Sequence, residues 1–154
     1  MTERTAATRS STPFAPKLEE HMPVKVTGLC PLLQVFDMPT SVAFYCDKLG
    51  FELIQRSQPG EDHFDWCLLE LDGTQIMLNT AYERHERPAD PDPVRVKHHA
   101  DASIYFGCPD VDTAFDLYRA KGVKLAPPKI LNYGMKEIVV TDPDGYELHF
   151  HWQV

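Results

Sequence analysis

Apolar positions along this chain fall into one succession of rhythms, and that succession is written twice. In LCPLLQVFDMPTSVAFYCDKLGFELI the apolar run over residues 28–35 predicts a buried strand. Asp37 opens a turn, and Pro39 followed by Thr40 and Ser41 marks a helix start. Val42, Phe44, Tyr45 and Leu49 then recur at helical spacing, and Gly50 stands where a left-handed cap ends a helix. Residues 51–55 predict a second strand. After the loop SQPGED, the run FDWCLLEL, the Asp72-Gly73 turn and TQIMLNT predict a hairpin. The order is β-α-β-β-β.

The second copy begins at ASIYFGCPDVDTAFDLYRAKGVKLA. A strand over 103–108 leads to Asp110 and a helix whose apolar face is Ala114, Phe115, Leu117 and Tyr118; Gly122 ends it. A loop with Pro127 and Pro128 follows, then GMKEIVVT, a DPDG turn and YELHFHW, again in the order β-α-β-β-β. Gly50 and Gly122 lie 72 residues apart, as do Gly73 and Gly145, whereas Asp37 and Asp110 differ by 73. Matching helix ends and turn glycines at one offset mark an internal repeat. The units are 27–80 and 102–154, in one domain over 27–154. The proline- and charge-rich segment 81–101 reads as a linker or a flap, with His85, His98 and His99 solvated. Residues 1–26 have no apolar core, so they read as a flexible arm and not as a secretory signal.

Charge narrows the partners. The net charge is −8 over 154 residues, which argues against nucleic acid and anionic membranes, both of which select clustered Lys and Arg. No apolar stretch is long enough to span a bilayer. Cys30, Cys46, Cys67 and Cys108 form no CxxC pair and read as thiols of a reducing cytoplasm.

The doubled unit, with FY…LGF in the first copy and DVD…G…DPDGYELHF in the second, resembles the vicinal oxygen chelate superfamily of glyoxalases, extradiol dioxygenases and bleomycin-resistance proteins. The resemblance covers residues 27–154. It implies an α+β fold in which two tandem βαβββ units curl mixed sheets into cups that form a barrel-like cavity, helices outside, commonly in a homodimer. In metal-dependent relatives the first and last strand of each unit supply one ligand apiece, usually His, Glu or Gln. Carried over by position, those ligands fall on Cys30 and Ser103, each seven residues before its turn aspartate, and on Met77 and His149, each four after a turn glycine. Only His149 is a usual ligand of a divalent cation.

Strand alternation puts Glu147, His149 and His151 on one face of the last strand and Leu148, Phe150 and Trp152 on the other, against the helices. The same parity turns Gln75, Met77 and Asn79 inward, with Cys30, Leu32 and Gln34 beside them and Ser103, Tyr105 and Gly107 opposite. Trp66, Tyr133 and Met135 stand where relatives border the cavity mouth. Such a wall, apolar with scattered hydrogen-bonding groups, suits a small-molecule ligand. His149 is the candidate acid or base, with Glu147 and Tyr105 as partners. The preferred reading is a metal-free binding protein. Its alternative is a lyase, isomerase or dioxygenase with a divalent metal on His149 and either His151 or an acidic residue. A third possibility is a partner-binding module with a closed interior.

Overall fold

Two four-stranded mixed sheets, each backed by a helix, make up the computed structural model, which describes residues 25–61 and 63–154. The expected arm over 1–26 lies almost wholly outside the described residues. The first unit runs β1 (Leu32–Val35), α1 (Met38–Ala43, widening into a π-helical segment Phe44–Leu49), β2 (Glu52–Arg56), β3 (Trp66–Leu71) and β4 (Thr74–Thr80). The linker carries α2 (Pro93–His99), and the second unit runs β5 (Ser103–Gly107), α3 (Val111–Ala120), β6 (Lys129–Ile130), β7 (Met135–Thr141) and β8 (Glu147–Gln153). Strand orders are β1-β4-β3-β2 and β5-β8-β7-β6, with the first and last strand of each unit parallel and the remaining pairs antiparallel.

The turn chemistry is repeated as the sequence implies. Asp37 accepts the Thr40 N–H at 3.1 Å and Asp110 accepts the Thr113 N–H at 3.0 Å, so a carboxylate caps each helix. Gly50 (φ 87°) and Gly122 (φ 78°) take the left-handed conformation that stops each helix. Leu33, Val35, Cys67, Leu69, Ile76 and Leu78 alternate onto the helix-facing side of the first sheet, and Ile138, Val140, Leu148 and Phe150 onto that of the second; all are buried. These two layers are the core, and the opposite face of each sheet is left for other work.

Four sequence expectations need correction. The first strand begins at Leu32 and not at residue 28, and Leu29 is 91% exposed. Pro31 has no N–H to give the ladder; pairing starts with its carbonyl, which accepts the Met77 N–H at 2.8 Å. Leu117 is exposed, because Val111, Ala114, Phe115 and Tyr118 already complete one face of α3 and Leu117 falls beside it. His99 is not solvated: its ring stacks on Tyr146 with centroids 4.1 Å apart and its Nδ1 lies 2.6 Å from the Asp144 carbonyl. Finally, among the described residues no strand pairing joins the two sheets, so they do not close into a barrel. No described helix is long and apolar enough to cross a membrane.

The units meet through the edge-to-face contact of Phe51 with Phe106, centroids 6.0 Å apart, and through the hydrogen bonds of the DPDGY turn, residues 142–146. The buried Asp144 carboxylate accepts the Phe36 N–H at 2.7 Å and the Ser41 hydroxyl at 3.1 Å. Asp142 accepts the Tyr45 hydroxyl at 2.8 Å, and the Tyr146 hydroxyl accepts the Gln34 N–H at 3.2 Å. A turn of the second unit is thereby seated in the β1–α1 corner of the first.

Candidate functional site

Strand register sets most of the residues that parity assigned inward side by side, but Cys30 lies before the first strand, and Trp152, expected against the helices, is 43% exposed at the end of the last one. In the first sheet, register aligns Leu32 with Met77 and Gln34 with Asn79, while Leu68 and Trp66 lie opposite Met77 and Asn79 on β3. Asn79 donates to the Gln34 side chain at 3.2 Å, and Gln75 donates to Glu70 at 2.8 Å. In the second sheet, Ser103 aligns with Glu147, Tyr105 with His149 and Gly107 with His151. Cys30 precedes the first strand, and its thiol, with only the neighbouring Pro31 carbonyl 4.0 Å away, is pushed up in pKa by burial.

His149 is the centre of the more polar wall. It is 8% exposed, with Nδ1 3.2 Å from Glu137 Oε2 and Nε2 3.6 Å from Glu147 Oε2. Tyr105 stacks over the imidazole with centroids 4.5 Å apart and meets the edge of His151 at 5.1 Å. Nε2 is buried without a hydrogen-bond partner. Tyr105 itself is 55% exposed, and Tyr133 and Trp152 also show much of their rings. The sequence reading paired His149 with Glu147 and Tyr105 but missed Glu137. Counting outward from the Asp144-Gly145 turn would have found it, since the antiparallel register sets Val139 against His149 and Glu137 against His151.

Not all candidates share one space. A cleft of about 290 Å3 opens between the units, lined by Leu29, Pro31, Gln75 and Ile76 on one side and by Ser103 and Tyr105 on the other. Of the predicted site residues only Gln75, Ser103 and Tyr105 line it; Leu32, Met77, Asn79, Trp66, Met135, Tyr133, His149 and His151 do not, and His149 reaches the cleft only through the Tyr105 ring stacked on it. Two further spaces, of about 170 and 390 Å3, flank the ion pair between Arg87 and Asp37 beneath the linker. Arg87 also lies 5.5 Å over the Phe36 ring, so the linker is pinned across that corner.

The donor set does not suit the metal that the resemblance implies. A weakly acidic thiol outside the strand, a thioether and a neutral hydroxyl make a poor cage for a borderline divalent ion, whatever His149 adds. Among the described residues no three His, Cys, Asp or Glu side chains gather closely enough to hold one. The Tyr105 ring lies against both His149 and His151.

A model of the Glyoxalase/Bleomycin resistance protein/Dioxygenase superfamily matches residues 27–150. No curated protein matches the sequence. Among solved structures, the bleomycin-binding protein of bleomycin-producing Streptomyces verticillus, complexed with copper(II)-bleomycin, is 21% identical, with a TM-score of 0.60 over 83% of this chain and 97% of its own. The bleomycin resistance determinant encoded on transposon Tn5 is 18% identical with a TM-score of 0.64, over 83% of this chain and 98% of its own. A glyoxalase/bleomycin resistance protein/dioxygenase from Nocardioides is 22% identical with a TM-score of 0.59, over 86% and 87%. At these identities the likeness is one of fold.

Proposed function

Because the chain belongs to the glyoxalase/bleomycin resistance protein/dioxygenase superfamily, we propose that it binds a small organic molecule on the helix-free faces of its sheets, without a resident metal. One observation carries this reading: an exposed Tyr105 ring lies over a buried His149 beside a cleft to which both units contribute. Aromatic surface next to a few fixed polar groups is what a small-molecule site offers. Two solved relatives with this fold are named as bleomycin-binding proteins complexed with bleomycin, which supports binding as the activity. Gln75, Leu32, Ser103, Tyr105 and His149 are the contacts we assign, with Met77, Asn79, Trp66, Tyr133, Met135 and His151 framing them. A second copy of the chain would cover the exposed Leu32 and Tyr133 and close the cavity that one chain leaves open.

The competing enzyme reading draws on the two carboxylates flanking His149 and requires a metal there. Elemental analysis of protein purified without chelator separates the two. We expect no stoichiometric Fe, Mn, Ni or Zn, either as purified or after incubation with divalent cations. Stoichiometric metal that vanishes in a His149→Ala variant would replace the binding reading with a metalloenzyme.

A further inference from the structure

His149 and its neighbours define what kind of ligand the second sheet would take. Glu137 can only accept, so a neutral His149 keeps its proton on Nδ1, 3.2 Å away, and presents a lone pair at Nε2. That lone pair is buried, unpartnered and 3.6 Å from another acceptor, Glu147 Oε2. Two acceptors thus converge on one point with no donor between them, an arrangement that costs free energy while it stays unsatisfied. Tyr105 stacks on the face of the imidazole beside this point, and its own outer face is exposed.

Resting on the reading of this face as a ligand wall, we infer that the site takes a planar nitrogen cation bearing paired N–H donors: an amidinium, a guanidinium or a protonated amino-heteroaromatic ring. Such a group donates one N–H to His149 Nε2 and another to Glu147, satisfies both, and stacks its plane on Tyr105. The surrounding charge agrees. Glu137 and Glu147 are the acids of this face. Lys136 is turned to the opposite side, where it pairs with Asp112. Lys129, which register sets opposite Glu137 at the sheet edge, makes no ion pair among the described residues. An anion brings charge repulsion from both carboxylates, and a neutral ring with N–H groups donates to the same acceptors without the charge assistance. Glu137 acts as a positioning residue, fixing the imidazole tautomer without touching the ligand.

The test uses benzamidine as probe, with benzamide and benzoate as a neutral and an anionic analogue of the same shape, monitored by the ring nitrogen and proton NMR signals of His149. Benzamidine should shift the His149 Nε2 signal. Benzamide should bind at least about tenfold more weakly, the loss of one charge-assisted hydrogen bond, and Glu147→Gln should weaken benzamidine by a similar factor. Equal binding of benzamidine and benzamide, or a Glu147→Gln variant with unchanged benzamidine affinity, would overturn the cation assignment and leave the small-molecule reading standing. The assignment would fall equally if His149 were an imidazolium bridging both carboxylates at neutral pH. If no probe reached His149, the cation assignment would fall, and the binding reading would stand or fall on the metal analysis.

Discussion

Replacing Asp142 by Ala should destabilise the protein by about 2–4 kcal/mol, among the largest effects of any polar substitution in the chain. The carboxylate accepts the Tyr45 hydroxyl at 2.8 Å and the Asp144 and Tyr146 N–H groups at 2.9 and 2.8 Å. Tyr45 is fully buried, so its hydroxyl has no water to turn to once Asp142 is gone. The turn would also lose the two bonds that shape it, and with them the seat that Asp144 occupies against Phe36 and Ser41. Thermal unfolding should report a drop of roughly 10 °C for a domain of this size. Tyr45→Phe removes one bond and keeps the ring's packing, so it should cost markedly less. If Asp142→Ala melted within a degree or two of the wild type, the turn could not be part of what holds the units together.

Asp142 also predicts how stability depends on pH. Burial raises its pKa to about 6, against the opposing pull of its hydrogen bonds. The folded chain therefore holds this proton more tightly than the unfolded chain, whose carboxyl titrates near its ordinary value of about 4. The stabilisation is complete below about 4 and is lost as pH rises through about 6. Asp37 and Asp110, whose pKa values are lowered by the helix-capping bonds to Thr40 and Thr113, work in the opposite sense at lower pH. Comparison with Asp142→Asn isolates the buried group. The amide can still accept the two N–H groups and can donate to Tyr45, but it does not titrate. Wild-type stability should fall relative to the variant between about pH 4 and pH 6, and a constant difference across that window would disprove the shift.

Much of this architecture is legible in the sequence because it is local. The caps at Asp37 and Asp110, the left-handed glycines and the alternation of ELHFHW are each set by neighbours a few residues away. Parity alone placed His149 on the helix-free face. The less legible features are those set across the chain. Asp142 and Asp144 look like turn residues in sequence, and they are, but their carboxylates are spent on Tyr45, Phe36 and Ser41, about a hundred residues earlier. His99 reads as solvated because nothing nearby reveals that α2 docks on that turn. Glu137 lies between these cases, recoverable from hairpin register once the turn is fixed.

The two turn glycines make the sharpest test of that long-range docking. Gly73 (φ 77°) and Gly145 (φ 89°) close equivalent turns, and both need the left-handed backbone. An alanine at either should lose about 1–2 kcal/mol on that account. Their surroundings differ. A Cβ on Gly73 meets nothing within 4 Å, whereas one on Gly145 would stand 2.5 Å from the Val96 carbonyl oxygen and 3.0 Å from Val96 Cγ1. Val96 belongs to α2, so Gly145→Ala must push that helix off the turn or distort the turn itself. Pushing it off would also break the His99 stack on Tyr146 and the contact with the Asp144 carbonyl. We expect Gly145→Ala to be the more destabilised by about 2 kcal/mol or more in chemical denaturation. Amide exchange over residues 93–99 should accelerate in that variant and stay unchanged in Gly73→Ala. Equal losses in the two variants, with α2 exchange unaffected in both, would mean that the linker helix does not rest on the DPDGY turn. The linker would then be no part of the corner that holds the two units together.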